Sequence, residues 1–204
     1  MLHPAGPAAQ TIADLWWVML AFGLAIFALV MAILSAALFR RASPEGDGED
    51  GTRVWMWGLG LAFPLVTLAA LTGYGLVIGE RLLPRDTPDL VTVQAEARQW
   101  AWTFRYAGAA VPATEGVLHI PAGRPVNVEI TSTDVIHSFW VPQLAGKLDA
   151  IPGHVNVLRI QAASPGTYAG QSAEFSGRGY REHVFTLVAH DATSWATFLA
   201  EGTP

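Results

Sequence analysis

Two long apolar runs dominate the first part of the chain. Residues 15–39 and 54–79 contain no charged side chain, and as helices both exceed the ~30 Å hydrocarbon core of a membrane. Pro64 lies within the second run, where neighbouring helices can compensate for the hydrogen bond that it removes. The pattern predicts two transmembrane helices in an antiparallel hairpin. A cleaved signal peptide is the alternative for the first run, although residues 1–14 lack the Lys or Arg that begins such a peptide.

The basic residues predict how this hairpin is oriented. The connecting loop 40–53 holds Arg40, Arg41 and Arg53, whereas the N-terminal tail 1–14 holds no Lys or Arg. Because cytoplasmic loops carry the excess of basic residues, we expect the loop to be cytoplasmic. The tail and everything after the hairpin then lie on the extracytoplasmic side.

The spacing of apolar residues changes to a period of two after a polar linker at 80–89. Val91, Val93 and Ala95 share one face of a strand, which is typical of a half-buried sheet. Aromatic residues alternate in the next segment: Trp100, Trp102, Phe104 and Tyr106. Further strands are expected within 117–120, 126–130, 135–141, 155–160, 167–171 and 183–189. The pattern predicts an all-β antiparallel sandwich over residues 90–204.

A short helix is predicted to end this domain. Asp191 is a suitable N-cap, and Trp195, Phe198 and Leu199 fall on one face of the helix that would follow it.

Composition narrows the class of protein. Only 14% of the 204 residues are charged, and the mean hydropathy is +0.33, as expected of a membrane protein. There is no cysteine, which excludes disulfides, thiolate metal sites and cysteine nucleophiles. The net charge of -5 and the lack of a basic stripe argue against a nucleic-acid partner.

Two stretches resemble the metal loops of subunit II of the haem-copper respiratory oxidases: 135–142, Val-Ile-His-Ser-Phe-Trp-Val-Pro, and 170–183, Gly-Gln-Ser-Ala-Glu-Phe-Ser-Gly-Arg-Gly-Tyr-Arg-Glu-His. Copper-bearing members place Cys-x-Glu-x-Cys in the second stretch, then His four residues on and Met three further. In this chain the corresponding positions are Ser172, Glu174, Ser176, Tyr180 and His183, and His137 stands at the ligand position of the first stretch. Two bridging thiolates define the dicopper centre of that family, and neutral hydroxyls do not replace them.

The resemblance implies a fold and a function. It makes the sandwich cupredoxin-like, and the chain a noncatalytic subunit II of a proton-pumping terminal oxidase that reduces oxygen to water in a bacterial inner membrane. Haems and copper would belong to subunit I, and subunits III and IV are further expected partners. The lost thiolates favour the quinol-oxidising branch, with quinol entering through subunit I. The alternatives are a cytochrome c oxidase relative with replaced copper ligands, and a membrane-tethered scaffold or assembly protein.

The remaining site residues have two interpretations each. His137 is expected to be a hydrogen-bonded structural histidine, and the alternative is a mononuclear copper or zinc site formed by His137, His183 and Glu174. The resemblance also implies that the Glu174 carboxylate binds magnesium at the boundary with subunit I. A buried interface hydrogen bond is the alternative for Glu174. We expect no other metal or cofactor in this chain.

The segment Gln99-Trp-Ala-Trp102 resembles the strand through which electrons enter copper-bearing members. Without a metal behind it, we expect Trp100 and Trp102 to be core and interface residues on one strand face. The three histidines outside the motif are expected at the surface or at strand ends: His119, His154 and His190.

Overall fold

A computed structural model of the chain describes residues 3–39, 51, 53–84 and 87–202. Most of the predicted cytoplasmic loop 40–53 lies outside the described residues. The chain divides into two compact units. One is helical, Trp16–Arg81, and the other combines Met1–Leu15 with Leu82–Pro204.

The two predicted apolar helices are present, and both are long and apolar enough to cross a membrane. Helix α1 spans Pro7–Phe39. The second begins with a π-helical segment, Val54–Ala62, and continues as α2, Phe63–Leu82. Each exceeds its predicted bounds because the polar residues flanking an apolar run are still compatible with helical backbone. In α1 the extension begins at Pro7, since a proline at the first helical position has no N–H to leave unpaired.

The β-domain, residues 90–204, contains ten strands within the described residues. They are β1 Val91–Arg98, β2 Ala101–Tyr106, β3 Ala113–Glu115, β4 Val117–Pro121, β5 Val126–Ser132, β6 His137–Trp140, β7 Leu148–Ala150, β8 Asn156–Ile160, β9 Gly166–Ser172 and β10 Val184–His190. One sheet has the order β3-β2-β1-β5-β8, and the other has the order β4-β10-β9-β6-β7. The predicted two-layer sandwich is therefore confirmed.

Most neighbouring strands are antiparallel, but two pairs are parallel. β1 pairs with β5, placing Val93 opposite Val128, and β10 pairs with β4, placing Leu187 opposite Leu118. Parallel pairing arises because β4 lies in the opposite sheet, so the chain re-enters the first sheet at β5 in the direction of β1. A purely antiparallel pattern was expected; the crossovers account for the difference.

The core lies between the two sheets. Alternate residues of β1, β2 and β5 are buried, as period-two patterning requires. Its largest fully buried apolar side chains include Trp102, Phe104 and Phe139. The predicted C-terminal helix, α3, spans Ala192–Glu201, and its N-cap Asp191 accepts a hydrogen bond from Ser194 N.

The first residues of the chain belong to the β-containing unit. Ala5 N donates to Gln143 O over 2.8 Å, and Ala163 N donates to Ala5 O over the same distance. A Cβ at Gly6 would collide with the Gln161 carbonyl. The residue before α1 therefore needs the small size of glycine, because the backbone packs directly on the β-domain.

Candidate functional site

Backbone pairing brings the two motif stretches together. His137 begins β6, and Ser172 ends the neighbouring strand β9. Ser172 N donates to His183 O over 2.8 Å, and Ala173 N donates to Ser138 O over 3.0 Å. A short 3-10 helix, Tyr180–Glu182, then turns the chain into β10. The two ends of the segment 170–183 are thus hydrogen-bonded to each other beside β6.

Two imidazoles form the centre of the site. His137 is 0% exposed and His183 is 1% exposed, and their ring centroids lie 5.0 Å apart with the planes inclined by 80°. Ser172 and Ser176, at the positions of the family's cysteines, are also buried. Tyr180 is half-buried, and its ring contacts Phe175 at a centroid distance of 5.3 Å. The structure therefore brings His137, Ser172, Ser176 and His183 into one buried region.

A carboxylate orients the first imidazole. Asp134 Oδ1 lies 2.8 Å from His137 Nε2, and Gln99 N donates to Asp134 Oδ2 over 2.7 Å. Burial acts to raise the pKa of Asp134, but hydrogen bonds from Gln99, His137, Val135 and Ser132 outweigh it and lower the pKa to about 2. The ionised carboxylate can only accept, so His137 donates from Nε2.

The other ring nitrogen of His137 faces the interior. This Nδ1 is buried and has no hydrogen-bond partner. The predicted hydrogen bond of His137 is therefore present, and Asp134 is its partner. The sequence reasoning missed Asp134, although a carboxylate three residues before a buried histidine was a usable signal.

Unsatisfied polar atoms concentrate at this site. Among the described residues, buried side-chain atoms without a partner include Trp102 Nε1, His137 Nδ1, Ser138 Oγ and Ser176 Oγ. The pKa of His183 is lowered, first by burial and also by His137, while the Ala101 carbonyl and Asp134 act in the opposite direction. His183 is thus a neutral imidazole buried beside the Trp102 ring.

The residues present do not fit the family's dicopper centre. Ser176 Oγ has no partner, and Ser172 Oγ accepts only a long hydrogen bond of 3.4 Å from Ser138 N. Both are neutral hydroxyls where bridging thiolates are required, and the chain contains no cysteine. No electron-transfer step through this site follows from its donor set.

Glu174 does not join the imidazoles. Its Oε2 lies 3.5 Å from Lys147 Nζ, and its Oε1 accepts from Phe175 N over 3.0 Å. In the part of the chain that the structure describes, no three His, Cys, Asp or Glu side chains lie close enough to hold a metal ion. The alternative mononuclear site of His137, His183 and Glu174 is therefore not formed. Magnesium binding by Glu174 at a subunit boundary stays a prediction.

The two tryptophans have different environments, so the expectation that they share a strand face is wrong. Trp102 is fully buried in β2 and stacks on His183 with centroids 5.4 Å apart. Trp100 is 42% exposed. Arg98 pairs directly with Ala101, so Trp100 occupies the tight turn between β1 and β2. Strand alternation does not continue through such a turn.

The Trp100 ring packs against the loop within residues 170–183. An added Cβ at Gly177 would lie 3.1 Å from this ring, and one at Gly179 would lie 3.5 Å from it. Both glycines have positive φ, 116° and 100° respectively, which other residues adopt at a cost. Trp100 and the two glycines therefore form one close-packed surface over the site.

Two histidines outside the motif are not at the surface. His119 is 9% exposed and His190 is 4% exposed, because the parallel pairing of β4 with β10 places both under α3. The expectation of a surface or strand-end position is wrong for His119, in the middle of β4, whereas His190 is buried but lies at the end of β10, one of the expected positions. His154 is exposed, as expected, and its Nε2 contacts Asn156 Oδ1.

Comparison with known proteins agrees with the fold and the motif. Residues 111–190 match the family described as cytochrome c oxidase subunit II, periplasmic domain. Over 197 residues the chain is 31% identical to the cytochrome c oxidase subunit 2 of Alkalihalophilus pseudofirmus, covering 92% of this chain and 57% of that protein. The chain is thus similar to subunit II of the haem-copper oxidases, and its β-domain matches the periplasmic domain of that subunit. It spans a little over half the length of this relative.

Another relative is named for a different electron donor. The quinol oxidase subunit 2 of Bacillus cereus is 29% identical over 213 residues, covering 98% of this chain and 72% of that protein. The solved periplasmic domain of subunit II of the cytochrome oxidase of Bradyrhizobium japonicum has a TM-score of 0.52 at 23% identity, covering 58% of this chain and 94% of that one. This likeness supports the cupredoxin-like fold. With two helices long and apolar enough to cross a membrane, the chain is membrane-anchored, and its β-domain corresponds to the periplasmic domain of its relatives.

Proposed function

We propose that this chain is the noncatalytic subunit II of a proton-pumping terminal oxidase that reduces oxygen to water with electrons from quinol. One observation carries the proposal: Ser172 and Ser176 stand buried at the thiolate positions of the metal loops. A subunit II without these thiolates has no dicopper centre to accept electrons from a soluble cytochrome. Quinol reaches a large subunit from the lipid and bypasses that centre.

The surroundings of the lost centre support the same conclusion. His183 stands where the family has methionine, and its ring packs on Trp102 at 5.4 Å. The Lys147 ammonium faces Glu174 at 3.5 Å, so the loop carboxylate already has a cation of its own chain. The buried imidazole and the loop carboxylate therefore both contact side chains of this chain.

The redox chemistry then takes place in other subunits of the complex. Subunit I holds the haems, a copper ion and the quinol site, and subunits III and IV complete the complex. In this arrangement the β-domain of subunit II has a structural role and packs on the periplasmic face of the complex. Glu174 is then the residue of this chain that we propose to contribute to an interface magnesium, by exchanging Lys147 for the ion.

The proposed location is a bacterial inner membrane with the β-domain in the periplasm. Arg40, Arg41 and Arg53 favour a cytoplasmic loop between the two helices. The hydrogen bonds that join Ala5 to Gln143 and Ala163 support a common side for the N-terminus and the β-domain. A two-helix hairpin satisfies both constraints.

The deciding experiment measures oxygen uptake by the detergent-solubilised complex purified through this chain. Reduced quinol and reduced cytochrome c are supplied side by side, with inhibition by cyanide as the control for terminal oxidase activity. We expect a haem-bearing large subunit to co-purify and quinol to support the faster turnover.

The two alternatives give different results. Faster turnover with cytochrome c contradicts quinol as the donor and favours a cytochrome c oxidase with another electron entry. Purification without any haem-bearing subunit contradicts the oxidase assignment and favours a scaffold or assembly protein.

A further inference from the structure

A second pair of buried histidines lies away from the motif loops. His119 is on β4 and His190 ends β10. His119 Nδ1 lies 2.8 Å from His190 Nε2, a direct hydrogen bond between two imidazoles. Since each shared nitrogen is either donor or acceptor, this bond requires one ring to donate its proton and the other to accept it.

Helix α3 covers the pair with an aromatic surface. Phe198 stacks on His119 with centroids 4.3 Å apart and on His190 with centroids 5.7 Å apart. Trp195 lies 6.1 Å from His190. Phe198 is fully buried and Trp195 is 6% exposed. The two imidazoles therefore form the surface against which the apolar face of α3 packs.

Few titratable groups face this pair. From β2, the Tyr106 hydroxyl accepts from His119 N over 2.8 Å, and burial raises the pKa of Tyr106 to about 12. From α3, Asp191 adjoins His190 but is bonded to Ser194 N at 2.8 Å. Glu201 at the far end of α3 is exposed. The connecting segment 107–112 contains no ionisable side chain. Asp191 is thus the carboxylate nearest the pair, and its hydrogen bonds are directed to the helix N-terminus.

We propose that the His119–His190 pair is an acid-sensitive clasp that holds α3 on the β-domain while both rings are neutral and releases it when they are protonated. A proton added to the accepting nitrogen places two N–H groups against each other at the observed separation. Two charged rings at that distance also repel each other inside an aromatic enclosure. Either effect removes the surface on which Phe198 and Trp195 pack.

The pKa values of the two histidines give the direction of the pH effect and the pH range in which it occurs. Burial lowers the pKa of His119 to about 4, with His190 acting in the same sense. Burial also lowers the pKa of His190, while Asp191 partly opposes it. Because these values lie below the ~6.5 of a free imidazole, the released state binds more protons. Docking of α3 is therefore strongest above about pH 6.5 and weakens as the pH falls towards 4. The pH that matters is that of the compartment containing the β-domain.

Hydrogen–deuterium exchange of the full chain in its detergent-solubilised complex tests the clasp. Exchange is compared at pH 7.5 and 5.0 after correction for the intrinsic pH dependence of amide exchange. We expect opening of residues 192–201 to increase about tenfold or more at the lower pH, with a smaller change in β1. The variant carrying His119→Phe and His190→Phe should keep an aromatic surface beneath α3 and lose this selective increase. His154→Gln, at an exposed histidine, is the matched control and should behave as the unaltered chain.

Two outcomes of the comparison with the double variant overturn the proposal. One is equal change in residues 192–201 and in β1, and the other is a selective increase that survives in the double variant. If the double variant loses protection of β1 at pH 7.5, His119→Gln replaces it, because an uncharged amide can keep one hydrogen bond to His190. The selective increase should then fall well below that of the unaltered chain, and an undiminished increase also overturns the clasp.

Discussion

Trp102 and His183 stack in the centre of the β-domain, with ring centroids 5.4 Å apart and planes inclined by 20°. Both side chains are almost fully buried. Phe139 and Phe185 enclose Trp102 from other directions, each with a centroid distance of 5.6 Å. At the position that the resemblance assigns to a methionine ligand, His183 is therefore part of an aromatic core.

Replacing Trp102 should destabilise the β-domain far more than replacing Trp100. Trp102→Ala removes a fully buried ring and should lower the free energy of unfolding by about 3–5 kcal/mol. Trp100→Ala is the matched control, and should cost much less because that ring is 42% exposed. Urea titration of the full chain in detergent, followed by near-ultraviolet circular dichroism, measures both. Equal losses would show that the Trp100 surface over Gly177 and Gly179 is as important as the core.

Removing the imidazole of His183 should make the β-domain less sensitive to acid. Burial lowers the pKa of His183, so the unfolded state binds the proton first and stability is lost as the pH falls below about 6.5. His183→Met replaces a buried imidazole with an apolar side chain of similar size and should change the free energy of unfolding at pH 7.5 by less than about 1.5 kcal/mol.

The measurement is the difference in free energy of unfolding between pH 7.5 and 5.0. We expect this difference to shrink in His183→Met and to stay unchanged in the surface control His154→Gln. An identical pH dependence in all three proteins would mean that His183 is not among the groups that destabilise the domain in acid.

Restoring the family's ligands should restore copper binding. His137 already presents Nδ1 to the buried region, and its other nitrogen is held by Asp134 at 2.8 Å. A metal ligand oriented by such a carboxylate is the usual second-shell arrangement. The fourfold variant contains Ser172→Cys, Ser176→Cys, Tyr180→His and His183→Met, and should turn purple and paramagnetic when copper is added.

The double variant Ser172→Cys with Ser176→Cys is the control, because its two terminal ligands are still wrong. It should bind copper poorly or form a disulfide. Absorption and electron paramagnetic resonance spectra distinguish the two variants. A folded fourfold variant that stays colourless would show that the loop from 170 to 183 does not follow the backbone course of its copper-bearing relatives.

The topology can be tested by labelling single cysteines, since the natural chain has none. Ser164→Cys lies on the exposed surface of the β-domain, and Ser43→Cys lies in the predicted cytoplasmic loop. A membrane-impermeant maleimide should label Ser164→Cys in intact spheroplasts and Ser43→Cys only after permeabilisation. The reverse pattern would contradict the proposed orientation.

The local patterns predicted more of the fold than of the site. Apolar runs without charges predicted both helices because a membrane span is a property of one segment and needs no partner. The period of two predicted the sandwich for the same reason, and Asp191 was recognised as a cap from its neighbours alone. The turn at Trp100 was missed, because a two-residue connection interrupts alternation without a glycine or asparagine to mark it.

The sequence by itself predicted the two apolar helices and the β-domain, and it determined the absence of thiolate chemistry. These follow from composition, short-range periodicity and residue types at fixed spacing. Only the tertiary structure decided that Asp134 orients His137, that Glu174 pairs with Lys147, and that His119 and His190 meet beneath Phe198. The physical reason is that strands distant in sequence pair within a sheet. The burial and hydrogen bonding of a side chain depend on these long-range contacts.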